Sequence, residues 1–149
     1  RPISSLREAI QLLGTQRLTS MAAALSLSRN DPVQRLQLRQ VVIRAGVCRQ
    51  IAKRLKDINE STAFTLGLLS LIGQVEGESM QSMIGSIPLA DEVKQALLTR
   101  EGSLGKLLLL VERFERGELE RLSTRIIALL NEDYLAAVAW AETLLSETR

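Results

Sequence analysis

The chain has 149 residues, 46% hydrophobic and 24% charged, with 19 Lys and Arg against 17 Asp and Glu and no histidine, for a formal net charge of +2. That length makes one domain the default, burying roughly 68–70% of the unfolded surface. Near-neutral charge and 3% aromatic residues argue against a nucleic-acid groove, which needs a basic track with stacking rings, and apolar runs such as Leu107–Val111 fall far short of the ~18 residues a membrane helix requires.

No secretory signal pattern opens the chain. The lone Cys48 excludes an internal disulfide and fits a reducing, cytoplasmic setting. The sequence lacks an initiator methionine and begins almost inside a helix, so the expectation is a fragment of a longer protein.

Helical signals run throughout, and no segment reads as a strand. Ser5-Leu6-Arg7-Glu8 is a capping-box pattern followed by Ala9, Ile10 and Leu13 at helical spacing, with Gly14 as the stop. A second helix is predicted from Thr15 to Ser28. Asp31-Pro32 is an N-cap with proline at the first helical position, opening a long helix to Asp57. Asn59 to Ser61 caps the next one, which carries Ser70 and Leu71. A short helix from Ser79 ends before Pro88, and others follow over Leu89–Arg100 and Ser103–Arg116, with breaks at Gly102 and Gly117. Two final helices are expected to divide near Asn131. The sum is a compact all-α array of about nine helices, without the fixed-period self-similarity of a solenoid.

At 100° per residue the Asp31–Asp57 helix separates into two faces. Val33, Val41, Val47, Cys48, Ile51 and Leu55 gather on one side, while Arg35, Arg39, Arg49, Lys53 and Lys56 fall within roughly 100° of arc on the other. Two readings stand for that arc: a solvated helix face, or a contact surface for phosphates or an acidic partner. Arg44 breaks the pattern by falling within the apolar stripe. A buried guanidinium keeps its proton and needs a carboxylate or carbonyl partner, unless its stem snorkels to the surface or its head meets a ligand.

Other chemistry finds little footing. Ser70 has no histidine to serve as its base. Cys48, on the apolar stripe, reads as a buried thiol. Glu76, Glu78, Asp91 and Glu92 lack the loop spacing of a calcium site and read as solvated surface. Phe64, Phe114, Tyr134 and Trp140 are spread out and are assigned to the core. Met21–Leu25, Met80 and Met83 read as core filler or as adaptable contact surface, and Leu107–Val111 as buried helix able to support helix association.

Gly67-Leu68-Leu69 with Ile72-Gly73, preceded by helix and loop, resembles the HD superfamily of metal phosphohydrolases, and more closely the HD-related output domain (HDOD). The segment Ile3 to Gly14 is similar to that family's helix-and-glycine segment. Ile87-Pro88-Leu89, Glu92-Val93, Ala96-Leu97-Leu98, Gly105, Glu112 to Gly117, Asp133 to Ala136 and Trp140-Ala141 resemble the subgroup that follows an EAL cyclic-di-GMP phosphodiesterase domain. The resemblance places Ser70 and Leu71 where catalytic relatives carry a metal-binding His-Asp pair, and Arg44 at or beside a further histidine ligand. Serine is a poor ligand and leucine is none.

The resemblance therefore implies a single HDOD-like domain over 1–149 that lacks its N-terminal helices, has no catalytic residue, metal or cofactor, and keeps a vestigial pocket at Arg44, Ser70 and Leu71. It implies a regulatory module working through contacts with a protein partner or an adjoining EAL domain in a bacterial cyclic-di-GMP pathway, away from membrane and nucleic acid. The alternative is a phosphate- or nucleotide-binding sensor that uses Arg44 as a two-pronged donor.

Overall fold

A computed structural model of the chain describes residues 32–76, 80–85 and 89–146. The described residues form α1 (Pro32–Leu55), α2 (Glu60–Glu76), α3 (Met80–Gly85), α4 (Asp91–Thr99), α5 (Gly102–Glu115) and α6 (Thr124–Ser146), with no strand among them. The helices predicted at 5–13 and 15–28, together with Met21–Leu25, Asp31 and Glu78, lie outside these residues, as do the side chains of Val33, Arg35, Glu76 and Met83.

Local chemistry accounts for most boundaries. Pro32 opens α1, where a missing N–H does no harm. The helix ends at Leu55, two residues earlier than expected, because Lys56 turns left-handed at φ 64° while its N–H donates to the Ala52 carbonyl at 3.1 Å. The Asn59 side chain accepts from the backbone N–H groups of Ser61 and Thr62, at 2.9 and 3.1 Å, and so caps α2. Gly117, at φ 74°, lies just beyond the end of α5.

The division near Asn131 does not occur, and its absence removes one of the expected helices. Ser123 caps α6 through its Oγ, which accepts from the Ile126 N–H at 3.2 Å, and the helix then runs unbroken to Ser146. Asn131 is exposed and costs a mid-helix position only a few tenths of a kcal/mol. Leu130, Ala137 and Ala141 on the same helix are buried and hold it to the core.

α1 is the axis of the described fold. α2 packs along it on one side and α6 on another, while α4 and α5 pair and close over α1 and α2. One apolar cluster joins Val41 and Ala45 to Phe64, Leu68 and Leu69 of α2 and to Leu97, Leu104 and Leu108. A second joins Val42, Val47, Cys48 and Ile51 to Leu107, Val111, Leu130, Ala137 and Ala141. Flanked in this way, α1 is buried all round from Val41 to Cys48. Leu55, assigned to the apolar face, is instead 51% exposed, because the helix has by then left the core.

Two glycines set how closely the helices approach. A Cβ at Gly67 would stand 2.9 Å from both the Ala45 Cα and the Arg44 carbonyl oxygen, so α1 and α2 touch backbone to backbone there. A Cβ at Gly105 would lie 2.1 Å from the Arg100 carbonyl carbon, so α5 can fold back on α4 only with hydrogen at that position.

Candidate functional site

Arg44 enters the core from the middle of α1, with its side chain only 9% exposed. Its Nε donates to Glu115 Oε2 at 3.0 Å and its Nη2 to Glu115 Oε1, a two-pronged pair across α1 and α5. Its Nη1 donates to Ser70 Oγ at 3.1 Å and lies 3.8 Å from Glu112 Oε2. The Ser70 hydroxyl donates in turn to the Gly67 carbonyl at 2.7 Å, so both of its hydrogen-bonding roles are engaged. Tyr134, from α6, donates its hydroxyl to Glu115 Oε2 at 2.7 Å. Arg100, at the end of α4, grips Glu112 with Nε and Nη2 at 2.7 and 2.9 Å.

Two arginines thus face two glutamates in a network that joins α1, α2, α5, α6 and the end of α4. Burial would lower the affinity of Arg44 for its proton, but the Glu115 hydrogen bond and the charges of Glu115 and Glu112 more than offset it, so the guanidinium stays charged. Burial would likewise raise the Glu112 carboxyl. The Arg100 hydrogen bond, with the charges of Arg100 and Arg44, outweighs that and holds it below its ordinary value. Burial and the bond to Glu115 both push the Tyr134 hydroxyl upward. Burial pushes the Cys48 thiol up to about 12.

Of the residues singled out in sequence, Arg44 and Ser70 meet directly. Leu71 is half-buried and packs against the first apolar cluster. Ser70 has both hydrogen-bonding roles occupied, Leu71 offers no donor atom, and a guanidinium stands beside them, so this set does not fit a divalent ion. Among the described residues no three His, Cys, Asp or Glu side chains converge as a metal cluster.

The cationic arc of α1 is not a continuous open face. Arg39 pairs with Glu142 of α6 at 2.7 Å. Arg49 lies over the Trp140 ring at 4.8 Å and the Phe64 ring at 5.7 Å. Lys53 and Lys56 are exposed, and the side chain of Arg35 lies outside the described residues. Arg54, outside that arc, reaches Asp133 at 3.1 Å and Glu132 at 3.0 Å. Burial pushes the Asp133 carboxyl up despite that arginine. The Asp133 side chain is 4% exposed and that of Arg54 42%, and a cation half in water compensates a buried anion poorly.

Glu112, Glu115, Tyr134 and Arg100 were not identified as site residues from sequence. One signal was present: at 100° per residue Glu115 falls in the same arc as Leu104, Leu108 and Val111, an acid on an apolar stripe that mirrors Arg44 on α1. Phe114 and Tyr134 stack beside the network with ring centroids 5.0 Å apart.

A protein whose described residues are all helix and turn around a closed, charge-balanced polar centre is the class these observations define. The HDOD domain family model matches residues 1–84, and the chain belongs to the HDOD family. That match ends in α3, so α4, α5 and α6, which supply Arg100, Glu112, Glu115 and Tyr134, lie beyond it. Relatives extend further. The cyclic di-GMP phosphodiesterase CdgJ of Vibrio cholerae is 30% identical over 95% of this chain and 35% of its own length. The uncharacterized protein YuxH of Bacillus subtilis is 28% identical over 96% of this chain and 37% of its own. The chain therefore spans about a third of the length of these relatives. No solved structure matches the chain significantly. No described helix is long and apolar enough to cross a membrane.

Proposed function

We propose that the chain is a non-catalytic HDOD signalling module that keeps an HD-superfamily-like helical array and acts through protein contacts. The observation that carries this reading is the Arg44 network. Where the family resemblance puts a metal-binding pair, Ser70 is committed to Arg44 and Gly67, and Arg44 is committed to Glu115. A guanidinium with its carboxylate fixes helices in place but activates no water.

The name of the Vibrio cholerae relative and the family membership support a cyclic-di-GMP setting. In that setting we place a bacterial, cytoplasmic protein with an adjoining EAL domain as the partner in cis. The phosphate-sensor alternative finds little support, because the fork of Arg44 is filled by Glu115 and Glu112 adds a second negative charge nearby.

The test has two arms. The purified chain is assayed for cyclic di-GMP hydrolysis with magnesium or manganese; the expected result is no turnover, and turnover by the chain itself overturns the reading. In the longer protein, phosphodiesterase activity and oligomeric state are compared with and without residues 1–149. Identical values for both count against regulation in cis.

A further inference from the structure

The cationic arc of α1 meets an acidic, amphipathic helix within the same chain. α6 packs mainly on α1. Glu142 of α6 holds Arg39 near one end of the contact, Trp140 lies against Arg49 in the middle, and Asp133 with Glu132 holds Arg54 at the other end. Between these contacts the fully buried side chains are small, Ala137 and Ala141, with Gly46 of α1 so close that a Cβ there would stand 3.1 Å from the Ala137 Cβ. Tyr134, Val138 and Trp140 pack half-buried against the second apolar cluster, and Leu130 is buried beyond the Arg54 contact. Both partners of the Arg39–Glu142 and Arg54–Glu132 pairs are more than a third exposed, so salt screens them. α6 also lies beyond the part of the chain that the family model matches.

We propose that α6 is a releasable strap: an intramolecular acidic helix seated on a docking face whose external ligand is an acidic amphipathic helix of a protein partner. Closed, it engages Arg39 and Arg49 of the arc and Arg54 beside it. Open, it presents that arc and the small-residue groove around Gly46. Opening separates α6 from α1 and withdraws Trp140 from Phe64 and the first apolar cluster, but leaves the α1–α2 contact at Gly67, where the two backbones meet directly. The tie of Tyr134 to Glu115 is what α6 must break at the polar centre. The proposal deepens the protein-contact reading, yet a chain that hydrolysed cyclic di-GMP and still opened α6 would sink that reading and leave this one standing.

Hydrogen exchange on the intact chain, followed by mass spectrometry, reads the strap directly. Amides of α6 are expected to exchange before those of α2, and to accelerate roughly three- to tenfold between low salt and ~1 M sodium chloride while α2 does not. Arg39→Glu is expected to speed α6 exchange roughly two- to fivefold, and the charge swap Arg39→Glu with Glu142→Arg to restore it. Both residues are surface-exposed, so these variants keep the fold. A labelled peptide of residues 124–146 with its native Glu142, added in excess, is expected to bind the intact chain more tightly after Glu142→Gln, which loosens α6 and leaves the face on α1 unchanged, than before. Exchange of α6 only together with α2, or an unchanged rate in Arg39→Glu, overturns the strap. Absence of peptide binding under all these conditions overturns the docking face.

Discussion

Arg44 and Glu115 lie 71 positions apart in the chain and meet as a two-pronged ion pair at the centre of the fold, one from α1 and the other from α5. Each is the misfit of its own helix, a charge on an apolar stripe, and each resolves the other. Removing one partner of such a pair leaves a charge buried without compensation, whereas removing both does not.

Arg44→Leu is therefore expected to destabilise the chain by about 3 kcal/mol in urea unfolding, and Arg44→Leu with Glu115→Leu to recover most of that loss. A double variant as unstable as the single one would show that the pair is not what Arg44 contributes.

Alanine in place of glycine inside a helix ordinarily stabilises by up to about 1 kcal/mol. Gly67→Ala is expected to do the opposite and lower stability by about 1–3 kcal/mol, because its Cβ would meet the α1 backbone at 2.9 Å. Thermal unfolding measured beside an exposed control such as Gly85→Ala, where a Cβ meets nothing, separates crowding from propensity.

The Glu112 carboxyl is held below its ordinary value of 4.5 in the fold. As pH falls the unfolded chain takes up that proton first, so the contribution of Glu112 is complete above the ordinary value and is lost as pH drops through the lower, folded one. The acid limb of a urea stability–pH profile should be shallower in Glu112→Gln than in the parent chain. Parallel limbs would mean that Arg100 and Arg44 do not hold the carboxylate as described.

Cys48 is fully buried, and its thiol is pushed up to about 12. The folded chain is expected to resist a thiol-specific reagent at pH 8 and to react only on unfolding. Modification at the rate of an exposed thiol would place Cys48 elsewhere than between α1 and its neighbours.

Much of the fold was legible because it is written locally. Pro32, the Asn59 side chain and the left-handed Gly117 mark helix ends by chemistry that spans only a few residues. Arg44 was legible as a misfit for the same reason, since the 100° periodicity of one helix exposes it. Its partner was not, because nothing local connects α1 to α5 across 71 positions. For the arc of Arg39 and Arg49 the sequence leaves a solvated face and a contact surface both open, because a helix projection carries no record of what packs on it; Glu142 of α6 answers Arg39 from 103 residues away, and Trp140 answers Arg49. The break assigned near Asn131 rested on a residue that weakens a helix only slightly, and the burial of Leu130, Ala137 and Ala141 overrode it.

Trp140, the chain's only tryptophan, stands edge-on to Phe64 of α2 at 5.8 Å and under the guanidinium of Arg49. The molecule thereby carries its own optical gauge. Indole emission depends on the polarity around the ring and on a nearby cation, so unlabelled protein should shift its fluorescence to the red whenever water reaches the seam between α1, α2 and α6.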